Sequence, residues 1–324
     1  MSLRWIVLCL ICLAACSESD DTRKHRFLLK GNAELADQHE EMALQYFTEA
    51  LKIDSCFADA HNNLGTLYFR QKDYGQAVEY YTQAIICKPD FLPAYFNRAN
   101  TFYELKKSEL ALTDINRVLA VKPDTIPAIF LQGLIFTQLQ QYTDAWKSFV
   151  KVLKTDSVNT EAWINLGTVS YYQRDFVSAK KHLTKALALN PNAGDAYNTL
   201  VLVAVAEKDY PAALMFADKA LKIDSRNSYY KNNKGYVLLL TDQYEEALPY
   251  IDDAIVADPY NSYAYRNKGI YLLRKNDLAN AIRMLEKARS LDESTEQIHT
   301  LLAEAYLKNN QEDKMREALQ NVHQ

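Results

Sequence analysis

The sequence predicts an all-α array of eight helix-turn-helix repeats, and three regularities of a single frame point to it. Counted from Lys24, a 34-residue frame runs to Thr295 with no insertion or deletion. Its twentieth position holds Ala43, Ala77, Ala111, Ala145, Ala179, Ala213, Ala247 and Ala281, alanine every time. Its eighth holds Gly31, Gly65, Ala99, Gly133, Gly167, Val201, Gly235 and Gly269, so six of the eight glycines in the chain share one column. A fixed period of this length marks a repeat architecture in which each repeat is one supersecondary unit.

The remaining columns supply the parts of a helix pair. Small residues at columns eight and twenty let two antiparallel helices approach closely. Larger ones at columns four, seven, eleven, seventeen and twenty-four fill the space around them, as Tyr95, Leu64, Tyr68, Tyr74 and Tyr81 do. Asp73, Asp175, Asp209 and Asp277 recur just before the second helix, where a carboxylate caps orphan N–H groups. Pro89, Pro123, Pro191 and Pro259 stop that helix, because proline offers no N–H to continue it. Repeat five carries the whole pattern in Ala162-Trp163-Ile164-Asn165-Leu166-Gly167, then Phe176, Ala179, Ala186 and Asn190-Pro191. These residues resemble the tetratricopeptide repeat (TPR) family. The resemblance implies a right-handed superhelical solenoid in which neighbouring repeats bury each other's apolar faces.

Two positions depart from the pattern. Val201 replaces the small residue at column eight and is expected to open the helix spacing of repeat six. Pro249 falls inside the second helix of repeat seven, where a kink is expected. Residues 296–324 begin a ninth unit with Leu302, Ala303 and Tyr306 but put Met315 where alanine is expected. They are read as a degenerate repeat that caps the array.

Ahead of the repeats lies a leader. Arg4 precedes an apolar run from Trp5 to Cys16, ending Leu13-Ala14-Ala15-Cys16. One positive charge, a short apolar stretch and small residues at its end form a secretory signal. As a helix the run reaches about 18 Å against a hydrocarbon core of about 30 Å, too short to span. Its end resembles the bacterial lipobox at all four positions. That resemblance implies cleavage of residues 1–15 and diacylglyceryl transfer to the Cys16 thiol; the other reading is an ordinary signal peptide with an incidental cysteine. Residues 16–23, with Ser17-Glu18-Ser19-Asp20-Asp21, read as an acidic, flexible tether. By likeness to enteric sorting rules, the absence of Asp directly after Cys16 favours the outer membrane, facing the periplasm or the surface.

The 324 residues are 48 % hydrophobic and 24 % charged, with a net charge of −4 and no basic patch, so no nucleic-acid partner is expected. Cys56 and Cys87 are the only cysteines past the leader. Neither belongs to a CxxC pair, and both are expected to be small buried thiols. The six histidines show no metal-ligand spacing, and the glycines are spent on helix packing rather than on a phosphate loop. No enzyme activity, cofactor, metal or small-molecule substrate is expected.

Binding is expected on the first helices, which by resemblance line the concave side. Column six there reads Asn63, Asn97, Asn165, Asn233 and Asn267 in five of eight repeats. An amide complements a peptide backbone, so these asparagines are candidates for gripping a peptide; bonding within the repeat or to water is the competing role. Phe69, Phe96, Phe130, Tyr103, Tyr171, Tyr229, Tyr236 and Tyr263 fall on the same face as candidate anchors, with core packing as the alternative. The two-carboxylate clamp of chaperone-adaptor TPRs needs basic residues in columns that here hold Asn, Phe and Pro. The expected function is a lipid-anchored scaffold for envelope proteins or peptides. Alternatives are a permanent subunit of an outer-membrane assembly, pilus or secretion complex, or a regulator of a cell-wall enzyme.

Overall fold

The computed structural model describes residues 18–320; the signal run and Cys16 lie outside the described residues. Among the described residues there are eighteen helices and no strand. They fall into two compact units divided between Val152 and Leu153. In the first, helix pairs are formed by α1 (Asp20–Ala36) with α2 (Glu40–Ile53), α3 (Ala58–Arg70) with α4 (Tyr74–Cys87), and α5 (Leu92–Glu104) with α6 (Ser108–Val121). Then follow α7 (Ile126–Gln138) and α8 (Tyr142–Thr155), whose last residues pass the boundary. The second unit pairs α9 (Thr160–Tyr172) with α10 (Phe176–Leu189), α11 (Gly194–Ala206) with α12 (Tyr210–Ile223), α13 (Ser228–Leu240) with α14 (Tyr244–Ala257), and α15 (Ser262–Arg274) with α16 (Leu278–Leu291). It closes with α17 (Ile298–Lys308) and α18 (Glu312–Gln320).

From α2 to α16 each helix begins where the 34-residue frame places it, whereas α1 starts four residues early and α17 two late, and the turn between the two helices of a repeat is the same throughout. In repeat two, Lys72 N–H bonds Phe69 O and Asp73 N–H bonds Tyr68 O, a Schellman motif that satisfies the last carbonyls of α3. The motif needs a left-handed residue. Gln38, Lys72, Lys106, Gln140, Arg174, Lys208, Asp242, Asn276 and Asn310 supply it, with φ between 55° and 65° and never a glycine. The next residue then caps the second helix. Asp73, Asp175, Asp209 and Asp277 accept from the N–H groups of Gln76, Ser178, Ala212 and Asn280 at 3.0–3.3 Å.

Column eight packs against column twenty-four. A Cβ on Gly65 would lie 2.6 Å from the Tyr81 ring, and one on Gly167 would lie 2.5 Å from Leu183 Cγ. The absence of a side chain on one helix is therefore filled by a large side chain from the other. Repeat six inverts the pair: Val201 stands opposite the small Ala217, both 1 % exposed in one core cluster, so the expected widening is compensated within the same layer. Pro249 lies inside α14, which keeps the 14-residue length of the other second helices and is not broken there.

The N-terminal end of the array differs from expectation. The acidic run expected as tether is partly helix: Ser19 caps α1, accepting from Thr22 N–H at 3.1 Å, and Asp20 and Asp21 stand in its first turn, where the helix dipole favours them. At the other end Ile298, Leu302 and Tyr306 are buried against Leu285 and Ala288, while α18 buries only Ala318. Its remaining residues give the array a polar end.

Cys56 and Cys87 are not free thiols. They form a disulfide, Cα atoms 5.2 Å apart, linking the turn after α2 to the end of α4, and Cys56 is exposed. The columns of successive repeats come together in the stack at these two points, which a count of two unpaired-looking cysteines could not reveal.

Candidate protein-binding face

Within each unit the first helices touch their successors: α1 with α3, α3 with α5 and α5 with α7, then α9 with α11, α11 with α13, α13 with α15 and α15 with α17. The second helices α2, α4 and α6 do not touch one another, nor do α10, α12, α14 and α16. The side where helices crowd is the inside of a curve, so first-helix residues line the concave face of each unit.

The asparagine column runs along that face and bonds from repeat to repeat. In the first unit Asn97 donates to Asn62 at 3.0 Å, Asn62 to Asn63 at 3.3 Å and Asn63 to Asn32 at 2.6 Å. In the second, Asn267 donates to Asn232 at 2.7 Å, Asn232 to Asn233 at 3.2 Å and Asn233 to Asn198 at 2.8 Å. Asn165 instead donates one turn back in its own helix, to Glu161 O at 2.9 Å. Asn267 is fully buried, so its amide faces its own neighbours and not an open groove. Inter-repeat bonding was neither of the roles weighed for this column. Its legible signal was the doublets Asn62-Asn63 and Asn232-Asn233, since the second amide of each doublet needs a partner.

The aromatic candidates divide. Phe96, Tyr103 and Tyr171 are half-buried against core clusters, and Phe130 meets the core ring of Phe149 edge-on at 5.5 Å between centroids. Phe69 packs on Tyr74 at 5.4 Å. Tyr229 and Tyr263 stand out into solvent, 53 % and 37 % exposed. In the second unit the face gathers into one cluster. The Arg266 guanidinium lies over the rings of Tyr236 and Tyr263, 4.7 and 5.1 Å from their centroids. Burial pushes the Tyr171 phenol up to about 12, helped by the nearby Glu296, Tyr263 and Tyr236. Burial also raises Tyr236, against the pull of Arg266. Both phenols therefore keep their protons at neutral pH and offer O–H donors. Arg266 and Glu296 were not among the candidates, because only their inter-repeat contacts single them out.

The nearest approach to a nucleophile and base is Ser170 Oγ with His182 Nδ1 at 3.3 Å, but that hydroxyl is buried and donates to Leu166 O. Among the described residues no cluster of His, Cys, Asp or Glu is placed to hold a metal, and no helix is long and apolar enough to cross a membrane.

Tetratricopeptide repeat family models match residues 58–91, 92–125 and 160–193, each beginning at the first residue of α3, α5 or α9. The chain carries tetratricopeptide repeats. The other repeats share the frame and the same Schellman turn. Comparison with curated proteins finds no match. Among solved structures, that of PilF from Pseudomonas aeruginosa is similar over 66 % of this chain and 97 % of its own, with TM-score 0.55 and 18 % identity. A chain of the APC/C Cut9–Hcn1 hetero-tetramer is similar over 87 % of this chain and 56 % of its own, with TM-score 0.62 and 16 % identity. MamA from Desulfovibrio magneticus RS-1 covers 53 % of this chain and 97 % of its own, with TM-score 0.50 and 20 % identity. At these identities the likeness carries the TPR fold alone.

Proposed function

We propose that this TPR protein is a lipid-anchored scaffold of the bacterial cell envelope that holds a protein or peptide partner on the concave face of its second unit. One observation carries the binding reading: Tyr229 and Tyr263, on first helices, are exposed to solvent, and Tyr263 lies near the half-buried Tyr171 and Tyr236. Such rings give a partner apolar area with polar tips and little side-chain entropy to lose. The Cut9–Hcn1 hetero-tetramer is a case in which a chain of this architecture is seen with another protein.

The envelope reading rests on the lipobox ending at Cys16 and is supported by the Cys56–Cys87 disulfide, a bond that persists in oxidising compartments. Its test is metabolic labelling with a fatty acid followed by membrane fractionation. The wild-type chain takes up label and sediments with membranes, and Cys16→Ser does neither. A labelled Cys16→Ser chain removes the anchor.

Binding is tested by capture from envelope extract with the full chain and with Tyr229→Ala/Tyr263→Ala. A partner held by the first and released by the second, with both equally helical, supports the concave face. Equal capture by both moves the binding surface elsewhere.

A further inference from the structure

Three columns of the frame face the preceding repeat. Column six of repeat four is Leu131, 4 % exposed in a cluster with Ala99, Ala111 and Ile115 of repeat three. Column seven of repeat two is Leu64, buried with Ala43 and Phe47 of repeat one, and Tyr80 of column twenty-three packs on the same cluster. In repeat one these columns hold Leu29, Lys30 and Tyr46, over which the described residues place no repeat. Leu29 is 68 % exposed, where Leu131 of the same column is buried.

This outer face is unlike the polar end that α18 gives the array. Phe27 and Tyr46 stack with ring centroids 6.2 Å apart. Arg26 lies over Phe27 at 5.8 Å and Lys30 over Tyr46 at 5.6 Å. Among the described residues Lys30 has no carboxylate within ion-pair distance. An exposed leucine beside rings and cations is the make-up of a surface at a bilayer interface. There the apolar groups enter the headgroup layer, and Lys and Arg run their stems along apolar surface to reach phosphates.

The path of the chain leads to the same face. Arg26 holds Glu18, Nη1 to Oε2 at 2.6 Å, and only Ser17 separates Glu18 from Cys16. Two residues reach about 7 Å when fully extended. One headgroup layer is about 5–8 Å deep, so a lipid on Cys16 holds this end of α1 at the membrane surface. One leucine and two cations bind a bilayer weakly from solution. A leash this short makes the encounter intramolecular, and a weak surface is then enough.

We propose that the outer face of repeat one, formed by Arg26, Phe27, Leu29, Lys30 and Tyr46, docks on the phospholipid surface that holds the Cys16 lipid. Leu29 enters the headgroup layer and Lys30 reaches its phosphates. This rests on the reading of Cys16 as lipidated and deepens it: the lipid presents one defined face of the array to the membrane, not a loosely tethered body.

The lipidated chain is placed in vesicles of phosphatidylethanolamine with about a quarter phosphatidylglycerol, the anionic component that attracts Lys and Arg. It is treated with a water-soluble acetylating reagent, and each lysine is followed by mass spectrometry. The comparison is residues 16–324 made without the leader, unacylated and free in solution. The mass of the N-terminal peptide reports the lipid in the same experiment. Lys30 is expected to react about fivefold or more slowly in the anchored chain, as occupancy of the docked state above about four-fifths requires. Lys72 and Lys106, exposed in the turns of later repeats, are expected to react equally in both. Leu29→Glu alters an exposed position and is expected to return Lys30 to its rate in the unanchored form of the same variant. Equal Lys30 rates in the anchored and free wild-type chains, or protection that persists in Leu29→Glu, overturn the docking face while the lipid stands. An N-terminal peptide without lipid overturns the anchor instead. The comparison chain is then coupled to a maleimide lipid in the same vesicles through Cys16, its one free thiol once Cys56 and Cys87 are joined. Lys30 protected there upholds the face as a membrane surface, and Lys30 unprotected removes it.

Discussion

Gly167 and Gly75 are both helical glycines, yet substitution acts on them in opposite directions. A methyl group at Gly167 would sit 2.5 Å from Leu183 Cγ and 3.4 Å from the Ala179 carbonyl, with no room to retreat. Gly167→Ala is expected to cost about 1–3 kcal/mol through overpacking, read as a lower urea midpoint. At Gly75 the nearest atom is 3.6 Å away, so Gly75→Ala is expected to be neutral or to gain about 0.5–1 kcal/mol from reduced backbone freedom in the unfolded chain. A tolerated Gly167→Ala would show that the helices can part at column eight. The phenols make a second residue-scale prediction. Burial pushes Tyr81, Tyr171 and Tyr306 up to about 12 from an ordinary value of 10.0. Their neutral forms stabilise the fold fully below pH 10, and this contribution is lost as pH rises from 10 towards 12. Alkaline titration of phenolate absorbance should therefore show a late group of tyrosines whose ionisation accompanies loss of helical signal. Complete titration near pH 10 with helicity intact would contradict the burial.

At the scale of elements the helix pair was legible because its determinants are local. Column sixteen aspartates cap as the sequence predicts, since a cap depends on a carboxylate three residues from the N–H it serves. The disulfide was not legible, because Cys56 and Cys87 stand 31 residues apart and meet only when repeats one and two stack. By its closed loop it contributes about 3–4 kcal/mol in the chain-entropy account. Reductant should lower the denaturation midpoint of the wild-type chain and leave a Cys56→Ser/Cys87→Ser chain unaffected. An unchanged wild-type midpoint would mean that stacking alone holds the two repeats. Val201 teaches the same lesson from the other side: read in its own column it looks disruptive, and read against Ala217 it is half of a volume-conserving exchange.

For the whole molecule, an array stable only through neighbour contacts must finish both ends. Ile298, Leu302, Ala305 and Tyr306 cover the last full repeat, and α18 turns polar residues outward. Deleting residues 296–324 should uncover Leu285 and Ala288, lowering the melting temperature and raising dye binding to apolar surface and aggregation on size-exclusion chromatography. A truncated chain as stable and monodisperse as the full one would show that the ninth unit does not cap.

The sequence by itself determined the period, the helix pairing, the capping aspartates and the columns in which the asparagines and aromatics fall, because each follows from neighbours within one 34-residue frame. The lipobox reading of Cys16 rests on the sequence alone. Only the tertiary structure decided what those face residues do. The asparagines bond across repeats, Arg266 is buried between Tyr236 and Tyr263, and Cys56 reaches Cys87. A periodic sequence states which residues share a column. Which columns touch depends on the offset between stacked repeats, and that offset is set by the packing of many side chains at once.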